Sequence, residues 1–163
     1  MKKFNDIVCK IANKIYSQLS GFEEKYYQSA LGIEFRKKKI DFMREAGLEL
    51  FYENYPLGLH ELDFLITPCY DLKKPLIIET KVASSIIDSH RQQLKNYLRS
   101  AAKNKNVIIK NIEIGMLLNF NNSENIAKSI KKKKENQNVE IEFWEYKNNK
   151  FSQISINNLS NSN

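Results

Sequence analysis

Residues 60–81 read HELDFLITPCYDLKKPLIIETK, two short apolar runs that are separated by a turn and that each carry an acidic residue. The first run delivers Asp63, and the second delivers Glu79 followed two residues later by Lys81. Because successive residues of a strand point to opposite faces of a sheet, Glu79 and Lys81 share one face and Thr80 takes the other. Two carboxylates and an ammonium on neighbouring strands are the minimum needed to hold a hard divalent cation and orient an attacking water.

The composition favours one folded domain with a polyanionic partner. A chain of 163 residues is long enough to bury a core. Its apolar runs are far shorter than the roughly 20 residues of a membrane span. It lacks the apolar block of a signal peptide, so we expect a cytoplasmic or nucleoid-associated protein without a membrane partner. The net charge of +7 suits nucleic acid, although an AT-rich genome gives such a lysine-rich chain whatever its function.

Hydrophobic periodicity predicts an alternation of helices and strands. Helices are expected over residues 4–19, 22–38, 86–103 and, after the N-cap Ser123, up to Lys134. Strands are expected over residues 40–45, 48–55, 59–67 and 76–82, then in a β-rich stretch over 107–120, and as a hairpin of 139–146 with 150–156. Segment 40–45 has an alternative as an extension of the second helix. Turns are predicted at Ala46-Gly47 and at Pro56-Leu57-Gly58.

The motifs in this order resemble the PD-(D/E)XK nuclease superfamily. Asp63 stands for its first acid, Glu79-Thr80-Lys81 for its ExK element, and Gln93-Leu-Lys-Asn-Tyr97 for the QxxxY element of RecB-like members. Gly21-Phe-Glu-Glu24-Lys-Tyr-Tyr27 fits the signature of the small GxxExxY protein family within that superfamily. Each motif alone is weak, but their order and spacing together are specific, and the resemblance covers about residues 5 to 120.

The resemblance implies an α/β fold with a restriction-endonuclease-like core, in which helices flank a central mixed β-sheet. The chain is then one nuclease-like domain over residues 1–156. Its core spans about 5–120, and a C-terminal helix and β-hairpin form an extension over 121–156. Residues 157–163 are expected to be a flexible tail.

The resemblance also implies a metal site with Mg²⁺ or Mn²⁺ as the cofactor. Asp63, Glu79 and the carbonyl of Thr80 would ligate the ion, and Glu24 would add a ligand directly or through water. Lys81 would orient the attacking water or offset charge on the phosphorane. Spacing alone leaves an alternative for Glu24, as a first-turn acid favoured by the helix dipole.

Residues outside the acidic stretch are assigned to the substrate. Gln93 would fix the substrate backbone or the sheet-edge geometry, and Tyr97 would contact a phosphate or make a structural hydrogen bond. The basic runs at 36–39 and 131–134 offer phosphate contacts, with these four lysines as candidates: Lys37, Lys38, Lys131 and Lys132. Their alternative role is that of solvated helix ends.

The sequence is compatible with two functions of different classes. The first is a metal-dependent nuclease that hydrolyses phosphodiester bonds in DNA. The second is a non-catalytic nucleic-acid-binding or assembly module on a nuclease fold. A plain α/β interaction protein would require the order of the motifs to be coincidence. The terminal hairpin offers a sheet edge for pairing with a second subunit, so a homodimer is a further possibility.

Overall fold

The computed structural model describes residues 1–121 and 138–155. Its elements follow in this order: α1 (Lys2–Leu19), α2 (Glu24–Lys37), β1 (Phe42–Met43), β2 (Ala46–Tyr52), β3 (Tyr55–Leu62), β4 (Phe64–Ile66), β5 (Leu76–Ala83), α3 (Asp88–Ala101), α4 (Val107–Lys110), β6 (Ile114–Asn121), β7 (Val139–Lys147) and β8 (Lys150–Ile154). The predicted α/β architecture is confirmed. Among the helices of these ranges, none has the length and apolar character needed to cross a membrane.

Six strands form one mixed sheet in the order β1-β4-β5-β6-β7-β8. β5 and β6 run parallel, whereas the other neighbouring pairs of this sheet are antiparallel. β2 and β3 form a separate two-stranded sheet. The predicted terminal hairpin is present as β7 and β8, and because β7 pairs along β6, the hairpin widens the central sheet.

α1 and α2 cover one face of the central sheet. The apolar residues of α1 recur about one turn apart and are buried, as predicted: Phe4, Val8, Ile11, Ala12, Ile15 and Tyr16. α1 gives way to a turn in which Gly21 has a φ of +90°, a left-handed conformation that costs glycine least. The hydroxyl of Tyr27 then donates a hydrogen bond to the carbonyl of Leu19 (2.6 Å), which holds the start of α2 against the end of α1.

β5 separates two hydrophobic layers. Ile78 packs in the layer under α1 and α2, whereas Ile77 packs in the layer under α3. The alternation continues along the strand, so Thr80 bonds to α2 while Glu79 bonds to α3. Lys81 donates to Glu79 on that same face. The predicted division of these side chains between two faces is therefore confirmed.

Two turns lie elsewhere than the sequence predicts. Ala46-Gly47 is the start of β2, and the chain reverses just before it, where Glu45 has a φ of +56°. Pro56-Leu57-Gly58 lies inside β3, and the chain reverses at Glu53, with a φ of +51°. The proline is tolerated because β3 has a single partner strand and the register shifts between Leu50 and Phe51.

The predicted β-rich stretch over residues 107–120 begins with a helix instead. The side-chain oxygen of Asn106 accepts hydrogen bonds from the backbone N–H groups of Ile108 (2.9 Å) and Ile109 (3.4 Å) and so caps α4. The strand begins only at Ile114. A capping side chain thus outweighs the β preference of the three residues that follow it.

The alternative prediction, in which residues 40–45 extend α2, is wrong. The chain leaves the helix at Lys39, whose φ is +56°. Only Phe42–Met43 of that segment forms a strand. The following expectations fall outside the described residues: the helix after Ser123, the contacts of Lys131 and Lys132, and the tail over 157–163.

Candidate active site

The carboxylate of Glu79 is the centre of the site. Glu79 is 3% exposed, and its Oε1 accepts hydrogen bonds from Nζ of Lys81 (2.7 Å) and from Nε2 of Gln93 (3.0 Å). Its Oε2 is buried and has no hydrogen-bond partner in the described part of the chain. A buried acceptor without a partner costs free energy and marks a position that a ligand or ion can satisfy.

Burial and, after it, the negative charge of Asp63 raise the pKa of Glu79 to about 7. Lys81 acts against both effects but does not cancel them. Such a pKa reflects a carboxyl group that is withdrawn from water and lies close to other negative charges. Strongly perturbed carboxyl groups of this kind are typical of functional sites.

Asp63 stands at the break between β3 and β4. Its Oδ2 accepts hydrogen bonds from the backbone N–H (2.8 Å) and the hydroxyl (2.5 Å) of Thr80. The two bonds tie the chain just before β4 to β5, and they hold the Asp63 carboxylate close enough to Glu79 for its charge to raise the pKa of Glu79. The two acids that the sequence places on separate runs are therefore brought together.

Glu24 is the first residue of α2, where the helix dipole favours an acid. Burial raises its pKa, Lys81 lowers it, and Asp63 raises it again. Glu24 is therefore within electrostatic reach of the site. Gln28, one turn later, donates to Thr80 Oγ1 (2.9 Å) and to Glu24 Oε1 (3.4 Å). Gln28 was not predicted, although its i+4 spacing from Glu24 places the two side chains on one face of α2.

α3 closes the site with a chain of hydrogen bonds. Nε2 of Gln93 also donates to the hydroxyl of Tyr97 (2.5 Å), and this hydroxyl hydrogen-bonds with Nε2 of His60 (2.5 Å). The His60 and Tyr97 rings stack with centroids 4.6 Å apart. Burial raises the pKa of Tyr97 to about 12, so this phenol stays protonated. His60 was not predicted, because β3 and α3 meet only through tertiary packing.

Lys37 lies far from the acids. Glu24 and Lys37 are the two ends of α2, about 20 Å apart at 1.5 Å per residue. Nζ of Lys37 is paired with Oε1 of Glu34 (2.8 Å), which Lys14 also contacts (3.0 Å). Lys38 follows as an exposed residue at the helix C-cap.

The Glu34 cluster predicts a pH-dependent stability. Hydrogen bonds from Lys37 and Lys14 hold the pKa of Glu34 below its usual range. This stabilisation is present above the unfolded-state pKa of Glu34 and is lost as the pH falls through the folded-state pKa. We expect Glu34→Gln to lower the free energy of unfolding by about 1 kcal/mol at neutral pH. Urea titrations near neutral pH and in acid measure the free energy of unfolding of both proteins. The difference between Glu34→Gln and the parent should be smaller in acid.

The matched control for this prediction is Glu23→Gln, because Glu23 pairs with Lys25 on the open surface. An exposed pair contributes little, so this variant should unfold like the parent at both pH values. An effect of Glu34→Gln that is equal in acid and at neutral pH would contradict the assigned cause.

A divalent cation fits this donor set, although the site is not closed around one. In residues 1–121 and 138–155, no three His, Cys, Asp or Glu side chains converge closely enough to form a ready-made metal site. Two observations favour a cation all the same: Oε2 of Glu79 lacks a partner, and Asp63 and Glu24 both raise the pKa of Glu79. Positive charge supplied here would satisfy the free oxygen and relieve the repulsion.

A comparison with known proteins identifies the family to which the chain belongs. A family model described as the PD-(D/E)XK nuclease superfamily matches residues 2–133. This range contains all of α1 to β6, and hence Glu24, Asp63, Glu79, Lys81 and Gln93. No curated protein and no solved structure matches the chain. The fold is accordingly of the restriction-endonuclease-like kind, and the chain belongs to the PD-(D/E)XK nuclease superfamily.

Proposed function

We propose that this protein is a divalent-metal-dependent nuclease that hydrolyses phosphodiester bonds in DNA. Proteins of its superfamily are nucleases in general. The observation that carries the proposal is the buried carboxylate of Glu79, which contacts Lys81 and Gln93, feels the charge of Asp63 and keeps one oxygen without a partner.

Mg²⁺ or Mn²⁺ is the proposed cofactor. Asp63, Glu79 and the carbonyl oxygen of Thr80 would hold it, with Glu24 as a further ligand, directly or through water. Carboxylate and carbonyl oxygens are the ligands that these hard cations prefer. When bound, the cation polarises a phosphoryl oxygen and lowers the pKa of a water molecule.

Lys81 and Gln93 act through their own donors. Both bind the same oxygen of Glu79, which leaves the second oxygen of that carboxylate free for a ligand. The ammonium of Lys81 orients the attacking water or offsets the charge that develops on the phosphorane. Gln93 fixes the Glu79 carboxylate or the substrate backbone, and Tyr97 holds the amide of Gln93 or contacts a phosphate.

DNA is the proposed substrate, since a chain with a net charge of +7 attracts a polyanion. Plasmid DNA incubated with purified protein tests the proposal in a series of Mg²⁺, Mn²⁺ and EDTA. We expect nicked or degraded DNA with a divalent ion and intact DNA in EDTA. Equal cleavage in EDTA would contradict the metal, and intact DNA in every lane would contradict the nuclease.

The second candidate is a non-catalytic nucleic-acid-binding or assembly module. Two observations favour it: the described residues do not form a closed metal site, and Lys81 occupies one oxygen of Glu79. This candidate predicts salt-sensitive DNA binding without turnover under every metal condition. The plasmid assay, combined with a gel-shift on the same protein, separates the two.

A homodimer through β8 is proposed as the quaternary arrangement. β8 pairs with β7 and is the last strand of the central sheet in the described residues. The backbone groups on the outer side of an edge strand are available to a second chain. Light scattering of the purified protein measures the mass, and the mass of a single chain at all concentrations would contradict the dimer.

A further inference from the structure

A cavity of about 490 Å³ lies where α2 ends and the chain turns into β1 and β2. Its lining is Arg36, Lys39, Ile40, Asp41, Phe42 and Arg44. Three cations thus face one carboxylate. In the residues that the structure describes, no salt bridge neutralises Arg36, Lys39 or Arg44. Unlike Lys37, these cations remain available to an outside anion.

The guanidinium groups are held in place by aromatic rings. The guanidinium carbon of Arg36 lies 5.3 Å from the centroid of the Phe42 ring, and that of Arg44 lies 5.6 Å from the Phe64 centroid. Stacking orients a planar guanidinium without using up its N–H donors. Nε of Arg44 is buried and donates to no described residue. The cavity is therefore built around fixed cationic donors.

The backbone conformation at Lys39 is a second, independent feature of the cavity. Its φ of +56° is left-handed, a conformation for which glycine and asparagine are the preferred residues at a helix end. A lysine in this position costs conformational energy relative to those residues. The bend carries the chain from α2 into β1, and it brings Lys39 to the same cavity as Arg36 and Arg44.

The cavity is joined to the acidic site by a single side chain. Nη2 of Arg44 donates to Oε1 of Gln28 (3.2 Å), and Nε2 of the same Gln28 donates to Oγ1 of Thr80 (2.9 Å). Thr80 in turn donates to Asp63. Arg36 lies two turns beyond Gln28 on α2, about 12 Å along the helix. An extended anion that crosses the acidic site therefore meets Arg44 first and Arg36 next.

We propose that this cavity binds an internucleotide phosphate of the substrate that lies two or more nucleotides from the one at the acidic site, because Arg36 is about 12 Å beyond Gln28 along α2. The inference rests on the proposed function, since it assumes a polynucleotide at the acidic site. Arginine suits this task because its planar fork binds two oxygens of a phosphate at once. The main phosphate contact of the basic run at 36–39 then belongs to Arg36 and Lys39.

The test is a binding measurement that does not require turnover. The parent carries Lys81→Ala, and the variant adds Arg36→Gln with Lys39→Gln. The control adds Lys105→Gln with Lys110→Gln, two exposed cations that flank Ile109, which packs in the layer under α3 and not in the layer under α1 and α2. Both pairs remove the same charge. Fluorescence anisotropy with a short labelled DNA duplex gives Kd over a salt series.

We expect Arg36→Gln with Lys39→Gln to weaken binding by about tenfold or more at low salt and to reduce the slope of log K against log salt by about 1. The control pair should change Kd less than about threefold. All proteins should melt like the parent, since the four substituted side chains are exposed. Equal effects of the two pairs, or no loss of binding in the cavity variant, would overturn the proposal.

A competition arm separates the two sources of a phosphate group. Inorganic phosphate and unlabelled duplex are each added to the labelled complex. We expect the duplex to displace the label and inorganic phosphate at equal phosphate concentration to leave it bound. Displacement by inorganic phosphate that depends on Arg36 and Lys39 would make free phosphate the ligand and overturn the assignment. If DNA binds through the cavity but the unsubstituted protein never cleaves it in the plasmid assay, the nuclease is refuted and the binding of a DNA phosphate in the cavity still stands.

Discussion

Replacing Lys81 with alanine is expected to slow metal-dependent DNA cleavage by about 100- to 1000-fold, the range observed when one charge-stabilising donor is removed from an active site. The ammonium of Lys81 lies 2.7 Å from Glu79 Oε1. Its loss takes away the group that offsets charge on the phosphorane. It also lets the pKa of Glu79 rise further, because Lys81 is what lowers it. Rates of plasmid nicking at saturating Mg²⁺ or Mn²⁺ measure the effect.

The matched control is Lys74→Ala, which removes the same charge from an exposed pair with Glu113. This variant should cleave at nearly the parental rate, because the ion pair lies at the surface and contributes little to stability. Circular dichroism establishes that both variants are folded. Cleavage by Lys81→Ala within a few-fold of the parent would contradict the role assigned to the lysine.

Gly115→Ala is expected to lower the free energy of unfolding by about 1 to 3 kcal/mol. A Cβ at this position of β6 would lie 2.6 Å from Cδ1 and 2.9 Å from Cγ of Leu94. Leu94 is fully buried on α3, so relief requires the helix to shift. Gln93 precedes Leu94, so a shift of the helix should also weaken the hydrogen bond from Gln93 to Glu79. The free energy of unfolding, measured by chemical denaturation, and the rate of DNA cleavage should both fall.

Gly47→Ala provides the comparison for this prediction. A Cβ at Gly47 would meet Leu59 Cδ2 at 3.8 Å, an ordinary contact distance. The variant should therefore unfold close to the parent and keep its activity. If Gly115→Ala is as stable as Gly47→Ala, the close approach of α3 to β6 is not what positions Gln93.

The division of the β5 side chains between two faces was predictable because it depends on a local rule. Alternation along a strand assigns Glu79 and Lys81 to one face and Thr80 to the other whatever the rest of the fold does. The apolar stripe of α1 and the left-handed turn at Gly21 follow from rules that are equally local. These parts of the structure agree with what the sequence predicts.

The remaining contacts of the site depend on tertiary packing. His60 meets Tyr97 because the β2–β3 hairpin folds over α3, and no spacing along the chain encodes that approach. Arg44 reaches Gln28 for the same kind of reason. The turn at Glu53 was missed because Pro56 and Gly58 give the stronger local signal, which a bulged strand absorbs.

The rate at which Asp63→Asn cleaves DNA is the most direct test of a metal-dependent site at Asp63 and Glu79. Asparagine keeps an oxygen that accepts from the N–H of Thr80 but removes the charge on which cation binding depends. Asp88→Asn, a change at an exposed carboxylate on α3, is the matched control. We predict that with Mn²⁺ the parent and Asp88→Asn degrade DNA while Asp63→Asn leaves it intact. Degradation by Asp63→Asn at the parental rate would contradict a metal-dependent site built on Asp63 and Glu79.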